Sequence, residues 1–236
     1  TSSVAPIYPL YVRDGQGNIM KNDAGITMYD YGDGMNAGLT RPLLPNANGL
    51  ADSRLNTDRS EGNAFNGTGF FDILFLKDFK FTFNVGVSLD ETRRTTVQNP
   101  YFGQFADENG IIGKYHTRDF SHNLQQILNY TKVIGKHNVN VMLGHEYYPL
   151  RQYLLYGSTA NMFSPDNDEL AGAVIDKQSA TSYVITYNNE GYFGRAQYDY
   201  DGKYFFSASY RRDASSRFHP SHRWGNFWSV GAAWIV

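Results

Sequence analysis

The chain has 236 residues and a formal net charge of −2, which is enough length for one or two domains and gives no cationic footprint for nucleic acid. It contains no cysteine, so neither a disulfide framework nor a thiolate metal site is open to it. No apolar run approaches the roughly 20 residues of a transmembrane helix. Aromatics nevertheless make up 16% of the residues and the mean hydropathy is only −0.48, an average that strands with a single apolar face also produce.

Residues 1–65 carry Gly, Asn, Asp and Pro at short intervals, with turn signals at Asp14-Gly15, Gly17-Asn18, Tyr31-Gly32-Asp33-Gly34 and Pro42 through Pro45. They read as one long irregular loop. Residues 68–76 form a short apolar run, and after Lys77-Asp78 comes the cleanest strand of the chain. Phe79, Phe81, Phe83, Val85, Val87 and Leu89 fall on one face, and Lys80, Thr82, Asn84, Gly86, Ser88 and Asp90 on the other. Residues 91–118 read as a second long loop. A strand over 120–134 follows, with Phe120, Leu124, Leu128 and Tyr130 on one face, interrupted by His122, Gln126 and Lys132. Residues 135–138 form a short turn, 139–148 a strand that continues past Pro149 toward Tyr156, and 157–186 a third long loop.

Tyr192, Ala196, Tyr198 and Tyr200 then alternate with Phe193, Arg195, Gln197 and Asp199. After Asp201-Gly202 the rhythm returns as Tyr204, Phe206, Ala208 and Tyr210 against Ser207, Ser209 and Arg211. Such alternation on both sides of an Asp-Gly pair predicts an antiparallel hairpin. A loop over 213–226 leads to a last strand, Trp228, Val230, Ala232 and Trp234 against Ser229, Gly231 and Ala233, which runs to Val236. Seven strands result, and their connections alternate between short and long. That parity predicts an all-β fold, an antiparallel transmembrane β-barrel segment with short periplasmic turns and long extracellular loops. Seven strands fall short of a complete single-chain barrel. With no signal peptide ahead of Thr1, the chain reads as a mature or internal piece of a longer protein.

The run Tyr192-Phe193-Gly194-Arg195, with Lys203-Tyr204, Ser209-Tyr210-Arg211-Arg212-Asp213, Ser215-Ser216-Arg217-Phe218, Arg223-Trp224-Gly225 and Trp228-Ser229-Val230-Gly231, resembles the SusC/RagA family of TonB-dependent outer-membrane transporters. Segments near Tyr8-Pro9-Leu10-Tyr11 and Tyr29-Asp30-Tyr31-Gly32 are similar to an extracellular part of the same family. The sequence departs from the family pattern at Ala214, His219 and Trp228. The resemblance implies that 1–236 is a partial barrel domain, 1–65 a long extracellular loop and 66–236 strands and loops of a 22-stranded plugged barrel, with the plug absent. It further implies active import of oligosaccharides or peptides across the bacterial outer membrane. The implied partners are a SusD-like surface lipoprotein, the TonB complex acting through the missing plug, and outer-membrane lipid and lipopolysaccharide.

No catalytic constellation stands out, so no enzyme and no cofactor are expected. The six His are scattered without zinc-hydrolase spacing, and His145-Glu146 lies on a strand, where neighbours point to opposite faces. Asp166, Asp168 and Glu169 offer oxygens to calcium without EF-hand spacing, and a solvated acidic loop is the plainer account. The segment Arg211, Arg212, Asp213, Ser215, Ser216, Arg217, Phe218, Arg223, Trp224 and Gly225 makes a cationic rim. It would meet a phosphate or carboxylate, or, the preferred account, order a loop through an Asp213–Arg pair. Thr82, Asn84, Ser88, Arg195, Gln197 and Asp199 are expected to face the lumen. Tyr147, Tyr148, Tyr192, Trp228 and Trp234 are expected to form an aromatic girdle at the membrane interface. The alternatives are a soluble carbohydrate-binding β-sandwich, which would bury its apolar faces against each other, and a β-rich glycosidase, for which no pair of strand carboxylates stands out.

Overall fold

The computed structural model describes residues 8–43, 46–174 and 178–235; Pro45 and Val236, named above, lie outside them. Its strands are β1 (Thr57–Phe75), β2 (Phe79–Gln98), β3 (Ile111–Ile134), β4 (His137–Ala160), β5 (Ser179–Tyr200), β6 (Tyr204–Ser215) and β7 (Trp224–Trp234). They form one sheet in the order β1-β2-β3-β4-β5-β6-β7, so each strand is hydrogen-bonded to its neighbours in sequence. The predicted hairpin is present. β5 and β6 pair antiparallel from Asn189↔Ser215 to Tyr200↔Tyr204, and β6 pairs β7 from Ala214↔Trp224 to Tyr204↔Trp234.

The strands are longer than the alternation suggested. The long connections contract to 99–110, 161–178 and 216–223, and β1 begins at Thr57, inside the stretch read as loop. The added strand residues, such as Asp58-Arg59-Ser60 in β1 and Arg93-Arg94-Thr95-Thr96 in β2, are polar on both faces, so periodicity carries no signal there. A ladder needs only its backbone partners to persist in such a stretch. β3 and β4 reach 24 residues each. At about 3.3 Å per residue that is roughly 80 Å of strand, against the ~9–11 residues that cross a bilayer.

The short connections use left-handed backbone. Asp201 (φ 54) and Gly202 (φ 63) give the primed turn that Asp-Gly favours. Leu76 (φ 48) and Lys77 (φ 62) adopt the same region without glycine, at a cost of about 1–2 kcal/mol per residue. The Asp-Gly turn is closed by Lys136, whose ammonium lies 2.7 Å from an Asp201 carboxylate oxygen; this hydrogen bond holds the Asp201 carboxyl below its usual range.

The described residues divide into two compact units. One contains those up to Gly62, Thr92–His116 and Leu154–Ser182; the other contains Asn63–Glu91, Thr117–Tyr153 and those from Tyr183 onward. The first is far from irregular. Isolated bridges Tyr11↔Tyr29, Arg13↔Ile19, Lys21↔Thr27 and Asp33↔Thr40 order its opening segment, and a helix, α1, spans Gly49–Leu55. Asn48 caps α1 by accepting from the Leu50 and Ala51 amides, and its side-chain amide donates to the carbonyls of Asp30 (2.8 Å) and Leu10 (3.0 Å). Arg41 and Asp30 form a buried ion pair at 3.0 Å, with 3% and 5% of their side chains exposed, and Arg41 also donates to the carbonyls of Ala47 and Asp30. Gly32, at φ 75, leaves room for the Arg41 stem, because a Cβ there would lie 2.4 Å from it. Tyr29, Tyr31 and Ala51 pack with Tyr11, Leu50, Leu55 and Phe102, and the Tyr31 hydroxyl donates to Asp52 at 3.2 Å. Burial and the Asp52 charge push the Tyr31 phenol above its ordinary value.

Candidate functional site

In the second unit the sheet has two chemically distinct faces, and side-chain contacts sort the residues between them. On one face Phe71 packs on Phe83 (5.3 Å), Phe79 on Tyr130 (4.8 Å), His122 on Tyr147 (6.3 Å) and Tyr192 on Trp224 (6.0 Å). On the other Thr82 donates to Asp72 at 2.6 Å, Asn84 to Gln125 at 2.9 Å and Asn140 to Thr131 at 2.8 Å. The register gives this polar face Arg195↔Ser209, Gln197↔Ser207 and Asp199↔Phe205, and alternation along β2 adds Ser88. Thr82, Asn84, Ser88, Arg195, Gln197 and Asp199 thus lie on one polar face of the sheet. The apolar face is left open: Phe206, Trp228, Val230 and Trp234 are 54%, 74%, 75% and 63% exposed.

Aromatic rings on the apolar face collect in two rows. Tyr200, Tyr204 and Trp234 stand beside the Asp201-Gly202 turn, with Tyr204 and Trp234 stacked at 6.0 Å. Tyr192 and Trp224 stand at the far end, and Tyr210 and Trp228 pair directly below them. Between the rows lie Phe206, Ala208, Val230 and Ala232. Trp224 and Trp234 are ten positions apart on β7, about 33 Å of strand, or about 23–27 Å of membrane depth at a 35–45° tilt. That matches the ~25 Å apolar band of outer-membrane barrels, with rings at both rims. Tyr147, Tyr192, Trp228 and Trp234 lie on this face. Tyr148 does not: it points to the polar face, where its ring meets Tyr187 edge-on at 6.5 Å, because adjacent strand residues take opposite sides.

The arginine segment is spread over both faces and the loop after β6. Arg211 points to the polar face, where its Nε donates to both Asp213 carboxylate oxygens at 2.8 Å, and a terminal nitrogen reaches Glu146 of β4 at 3.4 Å. Its guanidinium also lies over the Phe193 ring at 5.3 Å. Two glycines make this possible. A Cβ on Gly144 would fall 2.2 Å from the Phe193 ring, and one on Gly191 would fall 2.5 Å from Asp213. Arg212 points to the apolar face and stacks on Trp224 at 4.8 Å, while Arg217 covers Tyr187 at 4.4 Å.

Ser215, Ser216, Phe218 and Arg223 order the loop itself. Ser216 and Asn188 exchange two hydrogen bonds of 2.9 Å, the Ser215 amide donates to the Arg223 carbonyl at 3.2 Å, and Arg223 Nε donates to the Phe218 carbonyl at 3.0 Å. A short 3-10 turn, Pro220–His222, completes it. The local Asp213–Arg pairing preferred from sequence is thus present, with Arg211 as the partner. The sequence alone did not bring Gly144, Glu146 and Phe193 to it; Phe193 comes from the adjacent β5 and Gly144 and Glu146 from β4 beyond it, and only the sheet joins them.

Two of the acidic loop residues of the first unit, Asp168 and Glu169, are engaged by cations of the protein. Asp168 lies 3.2 Å from Arg59 and 3.6 Å from Lys114, and Glu169 lies 3.0 Å from Lys114. His145, on the apolar face of the second unit, meets Gln126 at 2.7 Å and Glu190 at 3.2 Å, while the neighbouring Glu146 faces the other way.

A single antiparallel meander with an open apolar face, two aromatic rows about a bilayer apart and short turns alternating with long loops defines a segment of an outer-membrane β-barrel. No family model matches the chain. It is 29% identical over 194 residues to the TonB-dependent receptor SusC of Bacteroides thetaiotaomicron, a match covering 80% of this chain and 18% of that protein. It is 26% identical over 166 residues to the TonB-dependent receptor P3 of Formosa agariphila, covering 65% of this chain and 16% of that one. Among solved structures, the RagAB peptide transporter superposes with a TM-score of 0.71 at 25% identity, over 89% of this chain and 23% of the other. The RagAB peptide importer in an open-open state gives 0.68 at 25% identity, over 83% and 21%. The chain is a SusC/RagA-like segment of a TonB-dependent transporter barrel, a protein of the bacterial outer membrane. It spans less than a fifth of the length of these curated relatives.

Proposed function

We propose that the chain supplies wall and extracellular loops to an active outer-membrane importer of oligosaccharides or peptides, with no catalytic role of its own. In this reading the short turns at 76–78, 135–136 and 201–203 are periplasmic, and the connections at 99–110, 161–178 and 216–223 are extracellular. The polar face, with Thr82, Asn84, Ser88, Arg195, Gln197 and Asp199, lines the lumen. A SusD-like surface lipoprotein works with the barrel, TonB acts through a plug, and lipid and lipopolysaccharide surround the apolar face.

The observation that carries the proposal is the pairing of an open apolar face bounded by aromatic rows with a polar face bearing Arg, Asp, Gln and Asn. A β-sandwich would bury that apolar face under a second sheet, and the described strands form one sheet. The test is isolation of the full-length protein from outer membranes, with mass spectrometry of what accompanies it and uptake measured in cells lacking it. A long parent chain with a co-purifying surface lipoprotein, and loss of uptake of one oligosaccharide or peptide class, is the expected result. A free-standing soluble chain would overturn it.

A further inference from the structure

Arg212 of β6 stands on the apolar face of the second unit without a countercharge. It is exposed, its guanidinium lies over the Trp224 ring at 4.8 Å, and it makes no ion pair among the described residues. Its neighbour Arg211, on the polar face, is by contrast held by Asp213 and Glu146. The acid beside Arg212 on the apolar face is Glu190, which sits opposite Ala214 in register. One oxygen of Glu190 accepts from the Tyr192 hydroxyl at 2.7 Å and lies 3.2 Å from His145 Nε2, so its charge is answered by groups other than Arg212.

The immediate surroundings of Arg212 add a further donor. Register places Tyr192 on one side of it and Asn226 on the other. The Asn226 side-chain oxygen accepts from the Tyr210 hydroxyl at 2.7 Å, which leaves its amide N–H groups for another partner. A guanidinium stacked on an indole engages the ring with its flat face and keeps its in-plane N–H donors free. That planar fork matches two oxygens of a phosphate.

Position along the strand says which phosphate. Arg212 lies eight positions along β6 from Tyr204 of the other aromatic row, about 26 Å of strand. Beyond it on this face come only Ala214 and the connection at 216–223. Its stem therefore lies against the apolar face while its charged head reaches the depth of lipid headgroups.

We propose that Arg212, stacked on Trp224 and flanked by Asn226, is a binding site for a lipopolysaccharide phosphate in the outer leaflet of the outer membrane. The assignment rests on the reading that places the connection at 216–223 outside the cell, and adds to it the point at which the surrounding lipid is held.

The experiment adds lipid to the purified full-length protein in detergent and reads occupancy by native mass spectrometry. The probes are monophosphoryl lipid A, the same lipid A with its phosphate removed, phosphatidylglycerol, and inorganic phosphate as a competitor. They are applied to wild type, to Arg212→Gln and to Lys203→Gln, which removes a cation beside the Asp201-Gly202 turn at the opposite rim. Heat-modifiable migration checks that each variant is folded. Wild type should hold monophosphoryl lipid A about tenfold more tightly than the dephosphorylated form, as charge-assisted hydrogen bonding to one arginine predicts. Arg212→Gln should abolish that preference and Lys203→Gln should keep it. A preference that survives Arg212→Gln, or that Lys203→Gln removes equally, overturns the site. Phosphatidylglycerol bound as tightly as monophosphoryl lipid A, or displacement of the lipid by an equal concentration of inorganic phosphate, overturns the choice of ligand. Orientation is read separately, because these 236 residues hold no cysteine. Ser221→Cys should take an impermeant maleimide on intact cells beyond the wild-type background. Labelling only after permeabilisation would refute the extracellular reading and the leaflet with it, whereas a labelled Ser221→Cys protein with no phosphate preference would sink the site alone.

Discussion

Replacing Gly144 with alanine tests the arrangement around Arg211. The added Cβ would lie 2.2 and 2.3 Å from two atoms of the Phe193 ring, distances that no relaxation of a tenth or two resolves. Gly144 and Phe193 are both mid-strand, in β4 and β5, and the ladder resists backbone movement, so the ring has to turn away. Turning it removes the surface on which the Arg211 guanidinium rests at 5.3 Å and loosens the Arg211–Asp213 pair. Overpacking costs about 1–3 kcal/mol, and an exposed cation–π contact about 0.5–1 kcal/mol, so the substitution should destabilise by roughly 2–3 kcal/mol. The assay is the urea midpoint of the full-length protein in detergent, followed by loss of heat-modifiable migration, against Gly15→Ala, whose Cβ meets nothing within 4 Å. In the double variant Gly144→Ala, Phe193→Ala the clash is gone, so its loss should be smaller than the sum of the single losses. A midpoint for Gly144→Ala equal to that of Gly15→Ala, or strict additivity in the double variant, would refute the reasoning.

Arg41→Leu strands the Asp30 carboxylate in a nearly dry site and should cost about 3–5 kcal/mol of local stability, read as faster hydrogen exchange in α1 and around residues 29–31. Gly202→Val forces a β-branched residue to φ 63 where nothing lies within 4 Å, so its penalty of about 1–2 kcal/mol is backbone alone, and Gly202→Asn should recover most of it in the same urea assay. The raised Tyr31 phenol stabilises its surroundings fully below the unfolded tyrosine value near 10, and that contribution is lost as pH rises through the higher folded value. The ultraviolet tyrosinate titration should therefore show a late-ionising component that Tyr31→Phe removes. A late-ionising component that persists in that variant would count against Tyr31 as its source.

Legibility in the sequence followed the amplitude of the periodic signal. In β2 the apolar residues from Phe79 to Leu89 alternate without a break, and the structure places them as read; the Asp201-Gly202 hairpin was legible because turn chemistry and alternation agree. Where both faces are wet, as at Arg93-Arg94-Thr95-Thr96, a strand and a polar loop have the same composition, and only the neighbouring strand distinguishes them. The opening segment was misread for a different reason. Its order comes from single long-range pairs, Arg41 with Asp30, Asn48 with Leu10 and Tyr31 with Asp52, which have no period to detect. The arginine motif was visible as a string, but its division between faces was not: Arg211 turns to Phe193 and Arg212 to Trp224 because strand neighbours point opposite ways. The same rule separates Tyr148 from Tyr147.

The meander order has a consequence for how such a wall changes over time. Since each described strand is bonded to the strands before and after it in the chain, a hairpin is a self-contained module: duplicating or deleting one would leave every remaining described strand with an antiparallel neighbour of the right direction. Chain growth in pairs of strands then alters circumference without rewriting any existing contact beyond the insertion point. A long connection can likewise be exchanged for another by recombination at its two strand ends, so the variable part of the molecule is physically separable from the part that must keep its register.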